Sequence, residues 1–316
     1  MTMRLGLHMR TFRFLGKLVI PSILLILLLI PGDFIQVEKP SALDNEPAIS
    51  GRSSCGDSIP RDFMILEIPP RPQNGITGTK FAEMTKGWTG RKRQEAALQE
   101  FRSGNIPDFM RRLRPVRFQY HAGHGDTIRA VVWVTPDYLA IGSNEDFLRI
   151  PLTRPSAVNI AQEFGCVIPT RKIVDAVANQ ADFRFRPQPL PPGKRMRSSE
   201  YYVRHNQMIE EQHKGRPLGE LVAGHKKDVV LTNRLLGPER IAIYGWHRKD
   251  GKPIQSLSTV HGARYADYSH GVRLVYGKVC IDGKLRSIYE VLEDPKTAPV
   301  LSYEGLIPKI RRLMRW

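Results

Sequence analysis

The 316-residue chain contains only three cysteines, and its 31 acidic residues are far fewer than its 48 lysines and arginines. Three cysteines cannot form a disulfide framework for a chain of this length, which excludes that class of secreted scaffold. Beyond one N-terminal stretch there is no long hydrophobic run, which excludes a multi-span membrane protein. Hydrophobic residues make up 41% and charged residues 25%. Because these proportions are typical of packed globular proteins, wholesale disorder and collagen-like repeats are excluded as well.

Several chemical motifs are also missing from the sequence. There is no HExxH or CxxC metal spacing, no glycine-rich phosphate loop, no zinc finger and no RNA-binding aromatic signature. Because these motifs are missing, the net charge of +17 alone does not predict a specific nucleic-acid partner. Nothing in the sequence indicates the oligomeric state.

The first 35 residues have the layout of a targeting segment. Residues 1–17 carry four cations and no acid, and residues 18–31 are an uncharged run of 14 residues. This pattern is typical of a signal peptide or, since no small-x-small cleavage site follows closely, of an uncleaved signal anchor. The positive-inside rule then places residues 36–316 outside the cytoplasm. We expect a cell-membrane protein with a single N-terminal span, or a secreted or periplasmic one if the signal is cleaved.

The exported part remains strongly basic without this leader. Removing residues 1–31, which carry four cations and no acid, leaves 44 basic and 31 acidic residues, a net charge of +13. Such a surface attracts anionic partners, so an anionic envelope polymer or a membrane surface is the expected partner. The cations are concentrated in four clusters, at residues 91–93, 111–117, 194–197 and 309–315.

The remaining chain is predicted to be a linker followed by one domain. Residues 36–62 are rich in Pro, Ser, Asp, Asn and Gly, as linkers are. Residues 63–316 are predicted to form a single α+β domain, with a possible subdivision near the proline-rich segment 184–198. Its expected architecture is an antiparallel or mixed sheet with helices packed on one side.

Apolar periodicity places the elements of this domain. Strands are predicted at residues 116–120, 127–134, 138–141, 147–150, 228–232, 240–244 and 271–276. The last of these is expected to form a hairpin with residues 278–281. Helices are predicted at residues 91–102, 108–114 and 198–213, and after Thr153 and Thr170.

Six of the nine histidines lie between residues 205 and 270. His225 and His270 come just before predicted strands, and His247 ends one. His261 lies in a loop. Because a rigid sheet presents the side chains at its strand ends to a common cleft, these four histidines are candidates for a catalytic site.

The densest group of polar residues precedes the strand at 271–276. Asp267 could orient His270 as a general base, although an extended backbone would place the two on opposite faces unless a turn intervenes. Ser269 is a third catalytic candidate, and Arg273 could clamp an anionic substrate or form a structural ion pair. The other predicted substrate-binding residues are Lys226, Lys227, Trp246 and Tyr265.

Cys166 is the candidate nucleophile. It follows Gly165 and precedes the helix that Thr170 begins, and a thiol near a helix N-terminus has a lowered pKa. Of the other cysteines, Cys280 is predicted to be a core residue, and Cys55 could pair with another cysteine in an oxidising compartment.

The order of Cys166, a helix and then strands opened by His225 and His270 resembles the papain-like bacterial cell-wall cysteine peptidases and amidases. In that family the nucleophile starts a helix, and the histidine begins a strand that turns into a hairpin, as HGVRLVYGKVCIDG does here. The resemblance implies cleavage of a peptidoglycan-type amide bond without a cofactor. From Gly224 onward the chain also resembles exported bacterial proteins with no assigned activity.

Two functions follow from these patterns. The first is an exported hydrolase that acts on an envelope polymer through a histidine-rich cleft. The alternative is a non-catalytic, membrane-tethered module that binds an anionic glycan or envelope polymer. If a divalent metal takes the place of the thiol, a bound water attacks the substrate. The ligands would come from His225, Asp228, His247, His261 and His270.

Overall fold

The computed structural model of the chain describes residue 55 and residues 64–122, 125–235 and 239–316. The predicted signal or anchor, residues 1–35, lies outside the described residues, and so does the linker except for Cys55. Within the described part, no helix combines the length and the apolar character needed to cross a bilayer. The secondary structure there is a mixture of helices and strands, which confirms the α+β class.

Five of the helices begin at a threonine or serine side chain that accepts a hydrogen bond from the backbone N–H three residues on. They include the helices that Thr153 and Thr170 are predicted to begin, so both predictions are confirmed. The helices are α1 (Gly78–Met84), α2 (Gly90–Arg102), α3 (Arg154–Glu163), α4 (Arg171–Gln180), α5 (Ser199–His213), α6 (Ile288–Glu293), α7 (Ala298–Leu301) and α8 (Ile310–Leu313). Short 3-10 helices span Asp108–Arg111 and Lys194–Arg197.

The strands are mostly short. They are β1 (Met64–Ile65), β2 (Arg112–His121), β3 (Thr127–Val134), β4 (Ala140–Gly142), β5 (Phe147–Arg149), β6 (Cys166–Val167), β7 (Phe183–Arg184), β8 (Val222–Ala223), β9 (Lys227–Val229), β10 (Ile243–His247), β11 (Pro253–Ser258), β12 (His270–Gly271), β13 (Val275–Tyr276), β14 (Lys278–Ile281) and β15 (Lys284–Ser287).

The helix predicted over residues 108–114 is wrong. Only Asp108–Arg111 is helical, as a 3-10 helix, and β2 begins at the next residue. β2 pairs with β3 from Arg114 to His121 and buries Leu113 and Val116. This pairing overrides the helical pattern of the arginine-rich segment, because packing in a sheet outweighs local preference.

The larger sheet has seven strands and is antiparallel at every pair. Its main order is β1-β2-β3-β13-β6, and β14 joins it through β3 and carries β15 on its other side. The predicted antiparallel pairing of β2 with β3 is confirmed.

The single strand predicted over residues 271–276 is wrong, because the chain crosses here from one sheet to the other. β12 belongs to the smaller sheet and β13 to the larger one. Between them the carbonyls of Val272 and Leu274 accept hydrogen bonds from the N–H groups of Leu139 and Thr135. The predicted hairpin with β14 is wrong as well, since β14 pairs with β3 and β15.

The smaller sheet has four strands in the order β11-β10-β9-β12. β10 runs antiparallel to β9 and β11, whereas β12 runs parallel to β9. One end of this sheet, where strands begin or end, therefore contains the start of β9, the end of β10 and the start of β12.

A disulfide joins Cys55 to Cys280 across a sequence separation of 225 residues. Cys280 is buried on β14, as the sequence predicts for a core residue, and it is also the partner of Cys55. The bond ties the segment before the domain to the larger sheet, and the backbone N–H of Cys55 also donates to the carbonyl of Gly283.

Replacing Cys55 with serine is expected to lower the free energy of unfolding by about 2–5 kcal/mol, because the lost bond closes a long loop in the unfolded chain. Urea unfolding followed by circular dichroism measures the change. Reductant should reproduce the loss in the wild-type protein and leave the variant unchanged. An unfolding midpoint that reductant does not move in the wild type would contradict the prediction.

Candidate active site at the strand ends of the smaller sheet

Three strand ends bring the predicted residues together, and we call this region the strand-end site. Lys227, the first residue of β9, pairs with Gly245 of β10 on one side and with His270 of β12 on the other. His225 and Lys226 immediately precede β9, and Trp246 and His247 end β10. The side chains of these residues are buried, except that of Lys227, which is half-buried. Asp228, Asp267 and Ser269 are buried as well.

The backbone of β10 is strained at this edge. Gly245 and Trp246 both have positive φ angles, 104° and 57°, and the register with β11 shifts between Ile243 and Gly245. Glycine adopts such an angle freely, but for a tryptophan it costs free energy. Strain of this kind persists where the surrounding structure enforces it, and it concentrates at functional sites.

Asp267 is the centre of a hydrogen-bonded turn that leads into β12. Its Oδ1 accepts hydrogen bonds from the N–H of Ser269 at 2.8 Å and from the Ser269 hydroxyl at 2.6 Å. Its Oδ2 accepts one from the Tyr265 hydroxyl at 2.9 Å and lies 3.9 Å from Nε2 of His270. The N–H of His270 donates to the Asp267 carbonyl at 3.0 Å. This is the turn that an Asp267–His270 contact requires.

The electrostatics of this turn keep His270 neutral and Asp267 ionised. Burial lowers the pKa of His270, and the neighbouring Lys226 and Lys227 lower it further, against the opposing effect of Asp267. Burial acts to raise the pKa of Asp267, but His270 and the hydrogen bonds from Ser269 hold it below its ordinary value. At neutral pH the imidazole is therefore neutral and the carboxyl group is ionised.

A second polar network contacts the ring of His225. Nε2 of His225 lies 2.8 Å from Oδ1 of Asp137, and Oδ2 of Asp137 accepts hydrogen bonds from Arg149 at 2.6 and 2.9 Å. Arg149 also donates to Asn206 at 3.0 Å and to Glu210 at 2.6 Å. Burial lowers the pKa of His225 to about 4 although Asp137 opposes the change, so its ring is neutral at neutral pH.

Asp228 and Lys226 are buried titratable groups beside these histidines. Burial raises the pKa of Asp228 to about 6, and its Oδ2 accepts a hydrogen bond from the Tyr138 hydroxyl at 2.7 Å. Burial lowers the pKa of Lys226 to about 7, and its ammonium group donates to the Tyr268 carbonyl at 2.6 Å. Both groups can therefore exchange protons near neutral pH, which is the property that acid–base catalysis uses.

Several buried polar atoms of this region have no hydrogen-bond partner among the described residues. They are Nδ1 of His205, Nδ1 of His225, Oδ1 of Asp228, Nε1 of Trp246, both ring nitrogens of His270 and Nε of Arg273. Buried polar atoms in folded proteins are nearly always paired, because an unpaired one costs about 1–3 kcal/mol. Five of these atoms belong to residues of the strand-end site, which is the arrangement expected where polar atoms of a ligand bind.

Two more of the predicted histidines contact other side chains. His247 contacts Asp175 of α4, and its Nε2 lies 2.8 Å from Oδ1 of that residue. The Tyr244 hydroxyl donates to the same oxygen at 2.8 Å. The ring of half-buried His261 stacks on Tyr265 at 4.2 Å between centroids. The four histidines thus do not share one set of ligands or partners.

Arg273 makes structural contacts. Its guanidinium donates to the carbonyls of Thr135 at 2.5 Å and Val222 at 2.7 Å and lies over the ring of Tyr138, with the side chain fully buried. The sequence leaves open a substrate clamp and a structural ion pair. These contacts indicate a structural role, but the partners are carbonyls and an aromatic ring instead of an acid.

The structure places Cys166 away from the strand-end site and reverses the expected direction of its pKa. Cys166 lies on β6, opposite Tyr276 of the larger sheet, and its thiol donates to the carbonyl of Phe164 at 3.3 Å. Burial raises the pKa of the thiol to about 12. The helix dipole does not lower it, because Ile168 and Pro169 separate Cys166 from the start of α4.

Native protein at pH 7.5 is therefore expected to react very slowly with a thiol reagent such as dithionitrobenzoate. After unfolding in guanidinium without reductant, one thiol per chain should react, since Cys55 and Cys280 are paired. Stoichiometric labelling of the native protein within minutes would contradict the buried position of Cys166. Three reactive thiols after unfolding would contradict the disulfide.

No group of three or more His, Cys, Asp or Glu side chains within the described ranges has the arrangement of a metal site. His225 and His247 each face a separate carboxylate, Asp137 and Asp175, and the ring of His270 lies beside Asp267. Three of the five residues proposed from sequence as metal ligands thus belong to three different pairs.

Three residues of the supporting networks escape sequence analysis. Asp137, Arg149 and Asp175 stand singly between apolar neighbours and belong to no motif. Arg149 offers the one available signal, since an arginine at the end of a predicted apolar strand needs a buried acidic partner.

No protein-family model matches the chain, and no curated protein and no solved structure is similar enough to be matched to it. The resemblance to papain-like cell-wall peptidases and amidases stays a prediction.

Proposed function

We propose that the chain is an exported hydrolase that cleaves a bond in an anionic envelope polymer, with a peptidoglycan-type amide as the first candidate. The concentration of buried, unpartnered polar atoms at the strand-end site is the observation that supports it. Lys226, Asp228 and His225 in this region also have strongly shifted pKa values. A cluster of shifted groups is characteristic of active sites.

In the proposed reaction His270 is the general base. Its neutral ring takes a proton from a water molecule as the water oxygen attacks the carbonyl carbon of the amide. Asp267, 3.9 Å from Nε2, stabilises the imidazolium that forms. The C–N bond then breaks, and the imidazolium returns its proton to the leaving nitrogen.

Neighbouring groups supply positioning and charge. Ser269 and Tyr265 hold the Asp267 carboxylate through three hydrogen bonds, which fixes the turn that carries His270. Lys226 supplies positive charge close to the developing oxyanion, where a buried cation acts strongly. We assign no catalytic role to Cys166, and the reaction as written requires neither a thiol nor a cofactor.

The proposed location outside the cytoplasm follows from the leader, residues 1–35, and from the net charge of +13 that remains after residues 1–31. The Cys55–Cys280 disulfide supports the same proposal, because structural disulfides persist in oxidising compartments. The leader then acts as an anchor, or as a signal peptide that is removed.

The test is to incubate the full chain, in a mild detergent, with purified peptidoglycan sacculi and to measure new primary amines. Release above a chain-free blank supports amide hydrolysis. If other bonds are cleaved, soluble fragments appear without new amines, and the substrate bond must be revised.

The second candidate function is a non-catalytic module that binds an anionic glycan or envelope polymer. It is favoured by the complete burial of His270 and by a separate cavity lined with cations, described below. Under this function sacculi retain the protein in a sedimentation assay, but neither amines nor soluble fragments are released.

A further inference from the structure

A cavity of about 300 Å³ opens beside the turn that contains Asp267. Two of its lining residues, Arg264 and Ala266, immediately precede that turn, and Arg197 lies over the ring of Tyr265. Two of the basic clusters seen in the sequence, at residues 91–93 and 194–197, meet here. The lining is Trp88, Gly90, Arg93, Gln94, Thr153, Lys194, Arg197, Tyr202, Arg264 and Ala266.

Every charged residue of this lining is a cation. Arg93, Lys194, Arg197 and Arg264 line the cavity with no carboxylate among them, and none of the four forms an ion pair within the part of the chain that the structure describes. Four unneutralised cations around one cavity create a strongly positive potential.

Two helices also begin at this cavity. Gly90 is the first residue of α2, and Thr153 caps the start of α3. The positive dipole end of each helix favours an anion. The N–H groups at the start of α3 are not free to bind one, because that of Arg154 donates to the Ala263 carbonyl, that of Ser156 donates to the Thr153 hydroxyl, and Pro155 has none. Both helices have at least ten residues, so each contributes a full dipole.

Arg93 lies buried in the wall of the cavity and is only 4% exposed. Its terminal nitrogens donate to the carbonyls of Arg197 at 2.7 Å and Trp88 at 3.1 Å. Its Nε has no hydrogen-bond partner among the described residues. A buried guanidinium held in place by two carbonyls, with a free N–H, is preorganised to bind an oxyanion.

We infer that this cavity binds a phosphoryl group, and that the group belongs to a phosphorylated envelope glycan. Four cations and two helix N-termini exceed what a single carboxylate would neutralise, and they favour a phosphate ester, which carries up to two negative charges and several acceptor oxygens. The volume is at the lower end of the range for small-ligand sites, enough for a phosphoryl group with part of a sugar.

The inference deepens the proposed function, on which it rests for the identity of the polymer. Because Arg264 and Ala266 lead into Asp267, a phosphoryl group bound here would hold the polymer next to the turn that carries His270. Binding of the phosphoryl group itself does not depend on hydrolysis and can be measured separately.

Calorimetric titration of the full chain with inorganic phosphate at low salt tests the inference. Replacing Arg197 and Arg264 together with glutamine should weaken phosphate binding at least tenfold, because two charged hydrogen-bond donors are lost. Both side chains are exposed, so the variant should keep its wild-type melting temperature. The matched control replaces Arg129 and Arg248, two exposed arginines outside the cavity, with glutamine. Its affinity for phosphate should be within twofold of that of the wild type.

Competition identifies the source of the group. Displacement of phosphate by N-acetylglucosamine 1-phosphate supports the glycan, whereas displacement only by phosphatidylglycerol vesicles overturns the glycan in favour of a lipid headgroup. Equal weakening in the two double variants, or no phosphate binding by wild type, overturns the site. The His270→Gln variant should bind phosphate like wild type. Phosphate binding without any hydrolysis would therefore contradict the proposed function alone.

Discussion

Replacing His270 with glutamine is expected to lower the rate of amine release from sacculi by about 10²–10⁴-fold, the usual contribution of a general base. Glutamine keeps polar atoms in the buried position but cannot take a proton from water at neutral pH. Both ring nitrogens of His270 are buried and lack a hydrogen-bond partner among the described residues, so its loss removes no protein–protein hydrogen bond of the ring. We therefore expect a large loss of rate with a small change in stability.

The matched control is His121→Gln. His121 is exposed at the end of β2, where its ring contacts Thr127 at 3.0 Å, far along the chain from the strand-end site. This variant should release amines at the wild-type rate. If His270→Gln retained more than a tenth of that rate while folded, His270 would not be the base.

Replacing Arg149 with methionine is expected to lower the free energy of unfolding by about 3–5 kcal/mol, because it leaves the Asp137 carboxylate buried without its main cation. Both side chains are almost fully buried, and burial acts to raise the pKa of Asp137. Arg149 and His225 overcome that effect and hold the pKa of Asp137 well below its ordinary value. Without Arg149 the carboxylate either stays charged at high cost or takes up a proton.

Urea unfolding of the full chain measures this loss, and Arg102→Met is the matched control. Arg102 forms an equally short ion pair with Glu163, at 2.7 Å, but both side chains are well exposed. Surface ion pairs contribute little, so we expect a loss below about 1 kcal/mol. Equal losses of unfolding free energy in the two arginine variants would contradict the prediction that burial makes the Arg149–Asp137 pair more important than a surface pair.

The sequence is sufficient to predict the elements that carry a local signal. The helices after Thr153 and Thr170 combine a capping side chain with apolar spacing, and both form as predicted. His225, His247 and His270 do lie at strand ends, because apolar strand residues adjoin each of them. That the helices cover one side of the larger sheet stays a prediction.

Features that depend on tertiary contacts could not be predicted. The chain between Gly271 and Val275 has the pattern of one strand, yet hydrogen bonds to Thr135 and Leu139 divert it between two sheets. Burial sets the pKa of Cys166, and the residues next to it in the sequence do not predict that burial. The partners Asp137 and Asp175 are chosen by packing, since each is distant in sequence from the histidine that it contacts.

The pH dependence of amine release from sacculi by the wild-type chain tests the central claim most directly. A general base must be deprotonated, and the pKa of His270 lies below the ordinary value of about 6.5. Activity should therefore not decline as the pH falls from 7.5 through 6.5, a range in which Lys226, with a pKa of about 7, gains positive charge. It should decline only at lower pH, while His270→Gln stays near the blank throughout. The account is contradicted if no amines are released, or if activity halves near pH 6.5 as for an ordinary exposed histidine.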